Sequence, residues 1–215
     1  MLRLKTGTTL LMAAMFAACG GGAEQAEDHA EMGEAEMAAA PASMTDSGCF
    51  LRGATMEEAA ERPSPLETTE FTVGGTEGLI CYGAPSARGR VMVGGEAHPH
   101  GELWRTGANE ATAIHLEGPA TIGDIPLEAG SYSLYTRLGE DMWEVYLNSN
   151  VERWGIPISD EVRAMDVGSF EVAPETTDEP VETLTFEWNS TGDNAGEIVM
   201  EWENSRIRIP VTAGM

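Results

Sequence analysis

Lysine is nearly absent from this chain. Lys5 is the only one in 215 residues, and the 12 Lys and Arg together face 36 Asp and Glu, for a formal net charge of −24 at pH 7. A chain so poor in cations lacks the basic surface that neutralises phosphates, which excludes a nucleic-acid binder. Long apolar runs are missing too: Thr8 to Phe16 is too short to span a bilayer comfortably. No Gly-x-Ser-x-Gly elbow, Walker loop or dinucleotide fingerprint occurs. Ser86, Ser131 and Ser133 have no evident base partner, and carboxylates are too abundant for any pair to stand out as a glycosidase dyad. No catalytic residue is assigned, and the reading leans away from an enzyme. What is present suffices for a core: hydrophobic residues make up 42% and there are five Trp.

The N-terminus reads as an address. Arg3 and Lys5 precede the short apolar run, and Phe16-Ala17-Ala18-Cys19 then leads into Gly20-Gly21-Gly22. Small residues directly before a cysteine resemble the lipobox of bacterial lipoproteins. The resemblance implies a signal peptide over 1–18, acylation of Cys19, and anchorage in the cell envelope by several acyl chains. A secretory signal cut elsewhere is the plainer alternative. Gly20, rather than Asp, after the cysteine leans toward the periplasmic face of the outer membrane. Residues 19–47 are expected to be an acidic tether, because Ala/Glu/Met-rich composition buries too little apolar area to offset ordering entropy. The domain proper is expected over 48–213. Its bases are all Arg, and a Lys-free acidic surface suits a saline exterior that screens self-repulsion. Export puts Cys49 and Cys81 in an oxidising compartment, where two such residues are more often bridged than metal-bound.

From about residue 66 the hydropathy has period two. Phe71 and Val73, then Tyr132 and Leu134, then Trp143, Val145 and Leu147, then Leu184, Phe186 and Trp188 each share a face. At the C-terminus Ile198, Met200 and Trp202 point one way, as do Ile207, Ile209 and Val211. A turn at Asn204-Ser205 would pair Glu203 with Arg206 and Glu201 with Arg208. Short helices are expected over Met56–Glu61 and Ser159–Met165. About nine strands with so little helix imply an all-β, antiparallel β-sandwich or jelly-roll-like domain.

The central motifs are Tyr82-Gly83-Ala84-Pro85-Ser86-Ala87-Arg88-Gly89-Arg90 and Trp104-Arg105-Thr106-Gly107-Ala108-Asn109-Glu110-Ala111-Thr112, with Trp154-Gly155 and Glu201-Trp202-Glu203 downstream. Over roughly 64–211 the chain resembles the bacterial family known as domain of unknown function 2911. The resemblance implies an exported or lipid-anchored β domain and carries no catalytic residues with it. Ala84 stands where members often have Arg or Ser.

Arg88, Arg90 and Arg105 gather near one loop region beside Trp104. Arg forks next to an aromatic surface suit a carboxylate, a phosphate or a sugar face, with Asn109 and Glu110 adding orienting hydrogen bonds. The same residues also suit a structural clamp in which Arg105 pairs with Glu110 and Trp104 plugs the core. His98, His100 and His115, with Glu102 or Glu110, form a second constellation, a cupin-like metal site. No cofactor other than such a metal is expected. The functional reading is a lipid-anchored envelope module that binds a small polar or anionic ligand or an envelope partner. The alternatives are a cupin-like metal-dependent enzyme and a purely structural envelope lipoprotein.

Overall fold

The computed structural model describes residues 48–214 and the backbone of Ser43–Met44. The expected signal peptide, Cys19 and most of the tether lie outside the described residues. Within them no helix is long and apolar enough to cross a membrane.

The described residues open with β1 (Ser43–Met44) paired to β2 (Phe50–Leu51) and helix α1 (Met56–Ala60). Thr55 caps α1: its hydroxyl takes the Glu58 N–H at 3.2 Å, and the Glu58 carboxylate takes the Thr55 N–H at 2.8 Å. Then follow β3 (Leu66–Val73), β4 (Thr76–Gly83), β5 (Leu103–Trp104), β6 (Ala108–Leu116), β7 (Ala120–Ile122), β8 (Ile125–Leu127), β9 (Gly130–Arg137) and β10 (Trp143–Asn148). Helix α2 (Asp160–Arg163), capped by Ser159, precedes β11 (Asp166–Val172), β12 (Glu175–Gly192) and β13 (Ala195–Ala213). Both short helices fall where the sequence placed them.

Two antiparallel sheets make a sandwich. The larger has the order β11-β10-β9-β6-β4-β3, with β5 added to β9; the smaller runs β12-β13-β7-β8. The β3–β4 hairpin turns at Gly74 and Gly75, with φ of 58° and 85°, the left-handed pair that a two-residue turn matched to strand twist requires. The core lies between the sheets. Ile80, Ile114, Leu134, Val145 and Leu147 face Leu184, Ile198, Met200, Trp202, Ile207, Ile209 and Val211, all fully buried or within 1% of it. Tyr82 stands edge-on to Phe186 across the gap, with ring centroids 4.8 Å apart.

The other face of the larger sheet is also partly roofed. Cys81, Ala113, Ser133 and Asn148 are register partners in a row across β4, β6, β9 and β10. A disulfide joins Cys49 to Cys81, with Cα atoms 5.8 Å apart, and holds the entering segment on this face as expected. Arg153, buried, donates to the Asn150, Trp154 and Gly155 carbonyls and to Ser133 Oγ.

The C-terminal register differs from the expected one. A straight strand of β13's length would span ~60 Å, yet the Ala213 N–H donates to the Asn194 carbonyl at 2.9 Å. β13 therefore turns back on itself. Arg206 pairs with Glu201, and Arg208 with Glu197 at 3.1 Å, rather than with Glu203 and Glu201. The expected inward set is correct, but the ion pairs are displaced. Glu203, at φ 53°, is diverted: its Oε2 accepts the N–H groups of Met92 and Val93 at 2.7 Å each.

Candidate functional site

The Trp104–Thr112 motif is a broken strand. Trp104 pairs with Thr136 of β9, and after an interruption Thr112 pairs with Leu134 of the same strand. The break needs left-handed backbone at Thr106 (φ 53°) and Asn109 (φ 63°). Internal hydrogen bonds hold it: Thr112 Oγ1 donates to the Thr106 carbonyl at 2.8 Å, and the Thr106 and Thr136 hydroxyls meet at 2.9 Å. Gly107 is required because a Cβ there would lie 2.4 Å from Thr112 Oγ1.

Much of the expected binding set is engaged by this scaffold. Arg105 donates to the carbonyls of Gly107 (3.1 Å) and Asn109 (3.4 Å). Asn109 Nδ2 donates to the Ser64 carbonyl at 2.8 Å. Glu110 accepts Arg62 at 2.7 Å and the Arg52 N–H at 3.1 Å. The clamp anticipated at Glu110 exists, but its cation is Arg62, not Arg105. Arg88 donates its N–H to Glu182 and a guanidinium N–H to the Pro63 carbonyl. Arg90 bonds the Ala87 and Ser86 carbonyls from an exposed loop position.

Another grouping emerges at one end of the sandwich. Trp104, from the larger sheet, stacks on Trp202, from the smaller, with centroids 5.4 Å apart and planes at 17°. Trp143 meets Trp104 edge-on at 6.3 Å. The imidazole of His98 sits over the pair, 5.3 Å from Trp104 and 6.0 Å from Trp202. Both indoles are buried, at 2% and 0% exposure, and neither Nε1–H has a hydrogen-bond partner. A buried donor left unpaired costs about 1–3 kcal/mol. Burial, then the charges of Arg105 and Arg90, lower the His98 pKa to about 4, so the ring is neutral at pH 7. The segment between Arg88 and Gly101 covers this end. It is tied down by Glu203 and by the Gly101 N–H to the Leu138 carbonyl (2.6 Å), and braced internally by the Gly94 N–H to the His98 carbonyl (2.9 Å). A cavity of about 490 Å³ opens in the same segment among Arg90, Val91, Met92, Glu96 and Ala97.

The expected metal constellation does not assemble. His98 faces the tryptophans, His100 lies against Gly94, and His115 is on the roofed face of β6, where its Nδ1 meets Ser131 Oγ at 2.7 Å and its ring packs on Phe50. Among the described residues no three His, Cys, Asp or Glu side chains are close enough to hold a metal ion. Alternation along β6 separates His115 from an inter-sheet site, and Glu110 is committed to Arg62.

A family model described as "protein of unknown function (DUF2911)" matches residues 64–211. The chain belongs to this family. No curated protein and no solved structure matches it. The DUF2911 segment begins at Ser64, whose carbonyl takes the Asn109 amide. Arg52, Arg62 and Cys49 lie before it, so the partners of Glu110 and Cys81 come from outside the matched range. The DUF2911 segment contains all of His98, Trp104, Trp143 and Trp202.

Sequence reasoning missed Trp202 and Trp143 as site residues, because in-out alternation marks them only as core. It missed Arg62 because nothing local ties it to Glu110, 48 residues away. Ser131 does have a base partner, visible only once β6 and β9 are placed in register.

Proposed function

We propose that this protein is a ligand-binding module of the bacterial cell envelope, anchored through acylated Cys19, and that it takes small molecules bearing a carboxylate or phosphate at the His98–Trp104–Trp202 end. The observation that carries the reading is the pair of buried, unpartnered indole N–H donors. Neither indole N–H reaches an acceptor, and an anionic ligand group drawn by the nearby charges of Arg90 and Arg105 would provide one. On a chain of net charge −24, local arginines are what make an anion site workable.

Thermal shift with acetate, benzoate, inorganic phosphate and glucose tests the binding. Benzoate or phosphate is expected to raise the midpoint saturably, and Arg90→Ala to weaken that response several-fold. A flat response to all four, or one unchanged in Arg90→Ala, overturns the site. The anchor is tested separately: Cys19→Ala is expected to move the protein from the membrane to the soluble fraction, and unchanged membrane association contradicts acylation.

A further inference from the structure

A pocket of about 620 Å³ lies away from the tryptophan end, on the roofed face of the larger sheet. His115 and Ser131 line it together with Leu79, Glu70, Glu77 and Glu117. His115 and Ser131 are directly opposed across β6 and β9, and Ser131 Oγ is 2.7 Å from His115 Nδ1. That is the separation at which an imidazole takes the proton of an attacking hydroxyl. We propose that Ser131 is a nucleophile served by His115 as general base, acting on neutral or cationic esters that enter this pocket.

Three observations support the proposal. First, the imidazole is held in place from outside the pair. Phe50 packs on it with centroids 5.5 Å apart, and Phe50 is fixed by the neighbouring Cys49–Cys81 disulfide and by pairing with Met44. Second, burial lowers the pKa of His115, so the ring is neutral and able to accept a proton at pH 7. Third, Glu70, Glu77 and Glu117 line the pocket, and their charge selects against anionic substrates. Both residues are partly buried, and His115 Nε2, on the far side of the ring from Ser131, is enclosed without a hydrogen-bond partner.

In the reaction, Ser131 Oγ bonds to the ester carbonyl carbon while its proton passes to His115 Nδ1. The carbon–alkoxide bond breaks and the alkoxide leaves with that proton as the alcohol. Water then attacks the acyl-serine by the same route, releasing the acid and restoring both side chains.

The test is covalent labelling of the intact protein with diisopropyl fluorophosphate, a neutral electrophile, followed by peptide mass spectrometry. The expected result is one adduct per chain, located on Ser131 with loss of fluoride, formed at least tenfold more slowly in His115→Gln. Wild-type protein labelled elsewhere, or not at all, overturns the proposal. So does Ser131 labelling at an undiminished rate in His115→Gln. Because the site of the adduct is read in the wild type, a folding defect in the variant does not decide the outcome. Ser131→Ala is a second control and is expected to abolish labelling while keeping the benzoate response of the tryptophan end.

Discussion

Arg62 and Glu110 form an ion pair of 2.7 Å that closes the entering segment onto the first residues of β6, with side-chain exposures of 18% and 9%. Glu110 also holds the Arg52 N–H, so removing its carboxylate strands a cation and a backbone donor together. Glu110→Ala is expected to cost about 2–4 kcal/mol in urea unfolding. A double-mutant cycle should give a clear coupling between Glu110 and Arg62 and a much smaller one between Glu110 and Arg105. Equal couplings would restore the Arg105 clamp that the sequence suggested.

His98 makes stability depend on pH in a defined window. Its folded pKa, about 4, lies below the ordinary histidine value of 6.5, so below pH 6.5 the unfolded state binds the extra proton. Stability is therefore undiminished by this group above pH 6.5 and is lost as pH falls toward 4. Relative to His98→Gln, which cannot titrate, the wild type is expected to lose about 1–3 kcal/mol across that interval. Parallel denaturation curves for the two proteins at pH 7 and pH 4.5 measure it.

The Cys49–Cys81 bridge closes a separation of 32 residues. Its loss in Cys49→Ala/Cys81→Ala is expected to lower stability by ~3–4 kcal/mol through the freed unfolded chain. It also loosens Phe50 over His115, so the double variant should show faster amide exchange in β2 than in β13.

Gly83 faces the backbone of Ala108, and a Cβ there would come within 2.2 Å of the Ala108 carbonyl oxygen. Since β4 and β6 pair at this point, neither backbone can withdraw without losing register. Gly83→Ala is expected to destabilise by about 1–3 kcal/mol, whereas Gly192→Ala, with open space around it, is expected to be nearly neutral. Thermal midpoints of the two variants check the contrast.

The strands were legible because alternation is a local signal: Trp143, Val145 and Leu147 announce a buried face without knowledge of what covers it. The disulfide was legible from two cysteines together with the expectation of export. The β13 register was not. Glu203, Glu201 and Glu197 are equivalent partners in a linear reading, and what removes Glu203 is the distant pair of N–H groups at Met92 and Val93. Trp104 and Arg105 were seen as neighbours in sequence. The stack of Trp104 on Trp202, nearly a hundred positions away, depends on sheet packing that no spacing encodes. The histidines did not come together for the converse reason: His98 and His100 lie in the segment between β4 and β5, whereas His115 is on the roofed face of β6.

The most direct test follows the indole N–H groups themselves. In ¹⁵N NMR spectra the five tryptophans give five Nε1–H signals, assigned with Trp104→Phe and Trp202→Phe. Titration with benzoate or phosphate is expected to shift the Trp104 and Trp202 signals saturably downfield as they gain an acceptor, leaving Trp188 unmoved. Signals of Trp104 and Trp202 that stay fixed through the titration would contradict the account and leave the stack a sealed core.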